Sequence, residues 1–110
     1  METRVLDWLR QMIGMPDGFT GVIQDSASSA ILCAILTARE RATGWRVNED
    51  GLGADDRLAV YTSTETHSST EKNVKIAGLG RQSLRKVPVD ECYAMRVDEL
   101  ERLILEDKAN

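Results

Sequence analysis

Two short polar stretches carry the residues able to do chemistry. One is "DSASS", Asp25 to Ser29; the other is "HSSTE", His67 to Glu71, which holds the only histidine. In the first, Ser26, Ala27, Ser28 and Ser29 lead directly into the uncharged run "AILCAILTA". If that run is a helix, its first-turn N–H groups lack intrahelical partners and its dipole favours an anion. Small side chains then let a phosphate approach the backbone, and hydroxyls add donors. Plain N-capping by serine explains the same residues equally simply.

His67 follows "LAVYTS" (58–63), an apolar run of the kind buried in a parallel sheet. Open α/β sheets gather ligands at the carboxyl ends of their strands. An imidazole placed there can stack on a flat cofactor, act as a base, or merely decorate a loop. Other chemistries find little support. No serine sits in a "GxSxG" elbow, and one histidine with no neighbouring ligand set makes no metal site. Cys33 and Cys92 lie far apart without metal-ligand spacing, and Cys33 reads as a small buried hydrophobe. "GLGADD" and "GLGRQS" lack the third glycine of a dinucleotide fingerprint and read as a turn and a helix C-cap.

The elements that must position these residues follow from periodicity. Val5, Trp8, Leu9, Met12 and Ile13 form one helical face, closed by Gly14 and Pro16. Gly21 to Gln24 reads as a short extended strand. The run from Ala30 to Ala38, apolar nearly all round, predicts a helix buried between layers. Residues 43–57 form a loop. Ser68 and Glu71 have capping-box spacing, so a helix begins after His67 and ends at Gly78 or Gly80. "LRKVPV" (84–89) is the next strand, with Pro88 near its end. Val97, Leu100, Leu103 and Ile104 mark a last amphipathic helix.

This alternation predicts an α/β fold built on a mostly parallel sheet of three strands with both edges open. At 110 residues the chain is one domain with a modest core. Its net charge of −4 and lack of a Lys/Arg cluster argue against a nucleic-acid partner. The opening "METRVLDWLR" is amphipathic and acidic early, unlike a signal or transit peptide, and no apolar stretch reaches membrane-spanning length. A reducing cytoplasm suits this cysteine usage.

"GVIQDSASSAILCAILTARERA", then "HSSTEKNVKIAGLG", then "VPVDECYAMRVDELERLILED" together resemble the pyridoxal-phosphate-dependent group II amino-acid decarboxylases. The wording "VIQDSAS" looks most like the aromatic-L-amino-acid (tyrosine, DOPA, tryptophan) branch. "ETRVLDWLRQMIGMP" is similar to the helix before that family's glycine-containing loop, so the resemblance covers essentially the whole chain in order. It implies a fold-type I large domain with pyridoxal 5′-phosphate as cofactor. The family's "SAS" turn cradles the cofactor phosphate, which corresponds here to Ala27 and Ser28 with Ser26 adjacent. The family's "HSS" histidine stacks on the pyridine ring, which corresponds to His67.

The resemblance also implies what is not here. The family's Schiff-base lysine lies in a His-Lys segment, whereas Lys72, Lys75, Lys86 and Lys108 are the only lysines and none follows a histidine. The aspartate that pairs with the pyridine nitrogen, the N-terminal portion and the C-terminal domain are likewise absent. Residues 1–110 are therefore expected to be a partial cofactor-binding domain, inactive by itself, from a homodimeric carbon–carbon lyase that removes the α-carboxylate of an aromatic L-amino acid to give an amine and carbon dioxide. Two alternatives stay open. One is a relative acting on glutamate, histidine or cysteine sulfinate; the other is a non-catalytic α/β module that binds a phosphate ligand or a partner.

Overall fold

The computed structural model describes residues 1–109. Helix α1 spans Glu2–Met12, α2 Ala27–Ala42, α3 Val47–Asp50, α4 Ser69–Ile76 and α5 Val97–Ala109, with strands β1 (Val60–Ser63) and β2 (Leu84–Val87) between them. The strands run parallel in the register Val60↔Leu84 to Ser63↔Val87, joined through α4. This β1–α4–β2 unit is the centre of the chain.

Its core is small. Thr70, Asn73 and Val74 of α4 and the capping residue Ala77 just after it are buried, at i, i+3, i+4 and i+7, so they form one helical stripe. Val87 of β2, Val47 of α3 and Glu40 of α2 are the other buried residues among those described. The stripe packs α4 against α2. Gly78, at φ +79°, ends the helix where a side chain would be strained.

Two polar networks tie the outer helices down. Glu40, buried on α2, pairs with Arg39 at 2.9 Å and accepts the Asn48 amide of α3 at 3.3 Å, while Arg39 Nη1 donates to the Ala77 carbonyl at 2.7 Å. The C-terminal helix is held by Asp107, which accepts from the Tyr61 hydroxyl at 2.7 Å and from Arg85 Nη2 at 2.8 Å. Tyr61 and Arg85 are register partners on adjacent strands, so one carboxylate clamps α5 to both. Hydrogen bonding from Arg85, then from Tyr61, holds Asp107 below the usual carboxylate range.

Four expectations need correction. Gly21 to Gln24 is not a strand: the Ile23 amide donates to the Glu2 side chain at 2.9 Å rather than to a sheet neighbour, and the sheet has two strands, not three. The 43–57 segment is not all loop, because α3 forms within it. Nor is α2 buried between layers. Only the side facing α4 and α3 is covered, and Ala30, Cys33, Ala34, Thr37 and Ala38 are exposed. Cys33 is consequently an exposed thiol rather than a core hydrophobe. Pattern reads how apolar a helix is; whether a second layer covers it depends on neighbours.

The chain is open in shape. Its radius of gyration is 15.9 Å, against roughly 13 Å for a compact domain of this length. Trp8, Met12, Ile13, Phe19, Val22 and Ile23 each expose more than half their surface.

Candidate functional site

Helix α2 begins as the serine pattern predicts. Ser26 is the N-cap: its backbone is extended, its Oγ accepts the Ser29 amide at 3.2 Å, and Ser29 Oγ accepts the Ser26 amide at 3.2 Å. Asp25 accepts the Ser29 hydroxyl as well. The capping reading thus holds for Ser26 and Ser29. Ala27 and Ser28, the first two helical residues, keep N–H groups that no residue of their own helix can accept. They stand at the positive end of a 16-residue dipole.

Helix α4 does not start by the expected capping box. Ser68 makes no side-chain cap bond, and its backbone is already helical. His67 does the work instead. Its Nδ1 accepts the Ser69 amide at 3.1 Å and lies 2.9 Å from Ser69 Oγ. An amide only donates, so Nδ1 is the acceptor and the neutral ring carries its proton on Nε2. One hydrogen-bonded edge orients an otherwise exposed ring at the carboxyl end of β1. Glu71 is drawn away from the cap by cations, with Lys75 at 3.0 Å, Arg81 at 3.3 Å and Lys86 at 3.6 Å. The Lys75 hydrogen bond and charge, then Arg81 and Lys86, hold its carboxyl below the usual range.

The two helix starts meet. Ser28, His67, Ser68, Ser69, Glu71, Lys72 and Lys75 line one shallow depression. Ser26 and Ala27 belong to the turn beside it rather than to its lining. Asn73, 2% exposed, joins the two helices beneath it: its Nδ2 donates to the Ser28 carbonyl at 2.7 Å. The sequence reading overlooked Asn73, Lys72 and Lys75. The two lysines sit three apart on one helical face, and Asn73 adjoins the apolar Val74 and Ala77 at helical spacing. Both signals were available in the pattern.

The donor set suits a phosphorylated aromatic ligand. First-turn amides and the Ser28 hydroxyl offer hydrogen bonds to an anion, Lys72 adds positive charge beside the Lys75–Glu71 pair, and the planar imidazole offers a face to a ring. Among the described residues no group of His, Cys, Asp and Glu is arranged to hold a metal ion.

Comparison with known proteins gives the class. The family model "Pyridoxal-dependent decarboxylase conserved domain" matches residues 1–110. The chain belongs to the pyridoxal-dependent decarboxylase family. Pyridoxal phosphate is this family's cofactor, and the depression fits it. An L-2,4-diaminobutyrate decarboxylase of Acinetobacter baumannii is 35% identical over 93% of this chain and 22% of its own length. The apo crystal structure of mouse CSAD superposes with a TM-score of 0.88 at 34% identity, covering 96% of this chain and 22% of that one. The Oryza sativa TDC solved with PLP and tryptamine gives a TM-score of 0.81 at 31% identity, covering 98% and 24%. The α/β fold is therefore that of the family's parallel-sheet, fold-type I domain. The chain spans about a quarter of the length of these relatives or less. None of the described helices is long and apolar enough to cross a membrane.

Proposed function

We propose that these residues form the part of a decarboxylase's large domain that holds the cofactor phosphate and covers one face of its ring. The observation that carries this reading is the shared depression of Ser28 and His67, residues 39 positions apart in sequence. In this reading the Ala27 and Ser28 amides and the Ser28 hydroxyl bind the phosphate, with Ser26 fixing the turn. His67 orients the ring by stacking, and Lys72 raises the local potential for a dianion. The bound cofactor supplies an electron sink for the charge left on Cα when carbon dioxide departs.

The reaction proposed for the complete enzyme is removal of the α-carboxylate of an amino acid, yielding an amine. The aromatic L-amino acids are the favoured substrate class, supported by the "VIQDSAS" wording and by similarity to a protein solved with tryptamine. A homodimer in a reducing cytoplasm, where the exposed thiols Cys33 and Cys92 stay reduced, completes the proposal. The 110 residues by themselves are proposed to bind without turning over, since none of their lysines directly follows a histidine in a His-Lys pair.

The test is titration of pyridoxal phosphate into the chain followed by absorbance. Saturable binding weakened by both Ser28→Ala and His67→Ala is expected. Binding indifferent to both would move the site elsewhere. Release of carbon dioxide from tyrosine or DOPA by the 110 residues alone would overturn the assignment of a partial site.

A further inference from the structure

The buried side chain of Asn73 has no evident use within its own helix. Its stripe otherwise holds Thr70 and Val74 of α4 and the capping residue Ala77, and asparagine is a poorer helix former than alanine. Burying an amide is also costly unless it finds partners. Its partners lie across the interface. Nδ2 donates to the Ser28 carbonyl at 2.7 Å and makes a long contact of 3.5 Å with Ser28 Oγ. That carbonyl is already positioned to accept the helical N–H four residues on, so the bond from Asn73 is an additional one.

We propose that Asn73 is a positioning residue for the phosphate half of the site. Resting on the cofactor reading above, it acts in two ways. It locks the first turn of α2 to the helix that carries His67, which sets the spacing between the anion-binding amides and the stacking ring. It also approaches Ser28 Oγ as a donor from the buried side, which leaves the hydroxyl hydrogen to point into the depression as a donor to an anion.

The test uses the full 110-residue chain with pyridoxine 5′-phosphate and pyridoxine. Neither carries an aldehyde, so neither condenses with Lys72 or Lys75. Two variants remove the amide: Asn73→Ala, which is smaller, and Asn73→Leu, which keeps the branched outline with greater bulk. Circular dichroism and a thermal melt establish which of them folds. Binding of the phosphate ester is expected to weaken about tenfold in either folded variant, while binding of pyridoxine changes less than twofold. His67→Ala is expected to weaken both probes. In a Ser28→Ala background the further loss from Asn73→Leu is expected to shrink, because the two act through one hydroxyl.

A general loss of stability would weaken both probes alike, and that result would reduce Asn73 to a packing residue. Wild-type affinity for the phosphate ester in the folded variants would overturn the positioning role while leaving the cofactor reading intact. Failure of the wild-type chain to bind the phosphate ester at all would overturn the reading and the inference together.

Discussion

The Ser69 amide donates to Nδ1 of His67 at 3.1 Å, so a single side chain both starts helix α4 and presents its ring to the site. The cap and the proposed stacking surface are therefore separable by substitution. His67→Asn keeps a short acceptor for the helix start but removes the aromatic face, whereas His67→Ala removes both. Losing a cap costs about 1 kcal/mol, so His67→Ala should lower the denaturation midpoint while His67→Asn largely preserves it. Both should lose the ring-dependent part of cofactor binding. Equal midpoints for the two variants, measured by urea unfolding, would show that the bond to Ser69 does no capping.

Acid should release the C-terminal helix. Asp107 titrates below its ordinary value because Arg85 and then Tyr61 hydrogen-bond its ionised form. In the unfolded chain it regains a pKa of about 3.9. As pH falls below that value the unfolded state takes up the proton first, so the contribution of the clamp declines and is gone below the folded pKa. The contribution is fully present above the unfolded value. Urea midpoints measured from neutral pH to pH 3 should fall less steeply for Asp107→Asn than for the wild type. Identical slopes would remove Asp107 from the acid response.

Val74 and Val87 are fully buried in a core with few other members. Val74→Ala removes two methyl-sized groups and leaves a cavity between α4 and α2, costing about 2 kcal/mol. In a chain with so little buried apolar surface this is a large part of the total stability. Loss of a cooperative thermal transition is the expected result; an unchanged melting temperature would mean that α4 is not packed as described.

Exposed apolar surface on α1 and the segment after it, including Trp8, Met12, Phe19 and Ile23, together with two open strand edges, favours association. Sedimentation velocity should show a mean mass that rises with concentration. A monodisperse monomer whose mass stays constant across the concentration range would contradict this.

Much of the fold was readable because its signals are local. The serine cap of α2, the glycine at the end of α4 and the period-3.6 face of α5 each reside within a few residues. The misreadings of Gly21 to Gln24 and of α2 concern partners distant in sequence, whereas α3 and the start of α4 were missed within local segments. Gly21 to Gln24 has strand composition but no neighbouring strand, and the apolar wrap of α2 implies a cover that these residues do not supply. Ser68 and Glu71 have the spacing of a capping box, yet Lys75, Arg81 and Lys86 outcompete the helix start for the carboxylate. The site itself was half legible. Residue types marked Ser28 and His67, and the resemblance joined them. The link through Asn73 appears only once α2 and α4 are packed together.

The most direct measurement is a two-dimensional amide and imidazole NMR titration of the 110-residue chain with pyridoxine 5′-phosphate. Saturable shifts concentrated at the Ala27 and Ser28 amides and the His67 ring, with one common affinity, are predicted. Shifts spread over the lysines alone, or no saturation, would contradict a cofactor site built from these two helix starts.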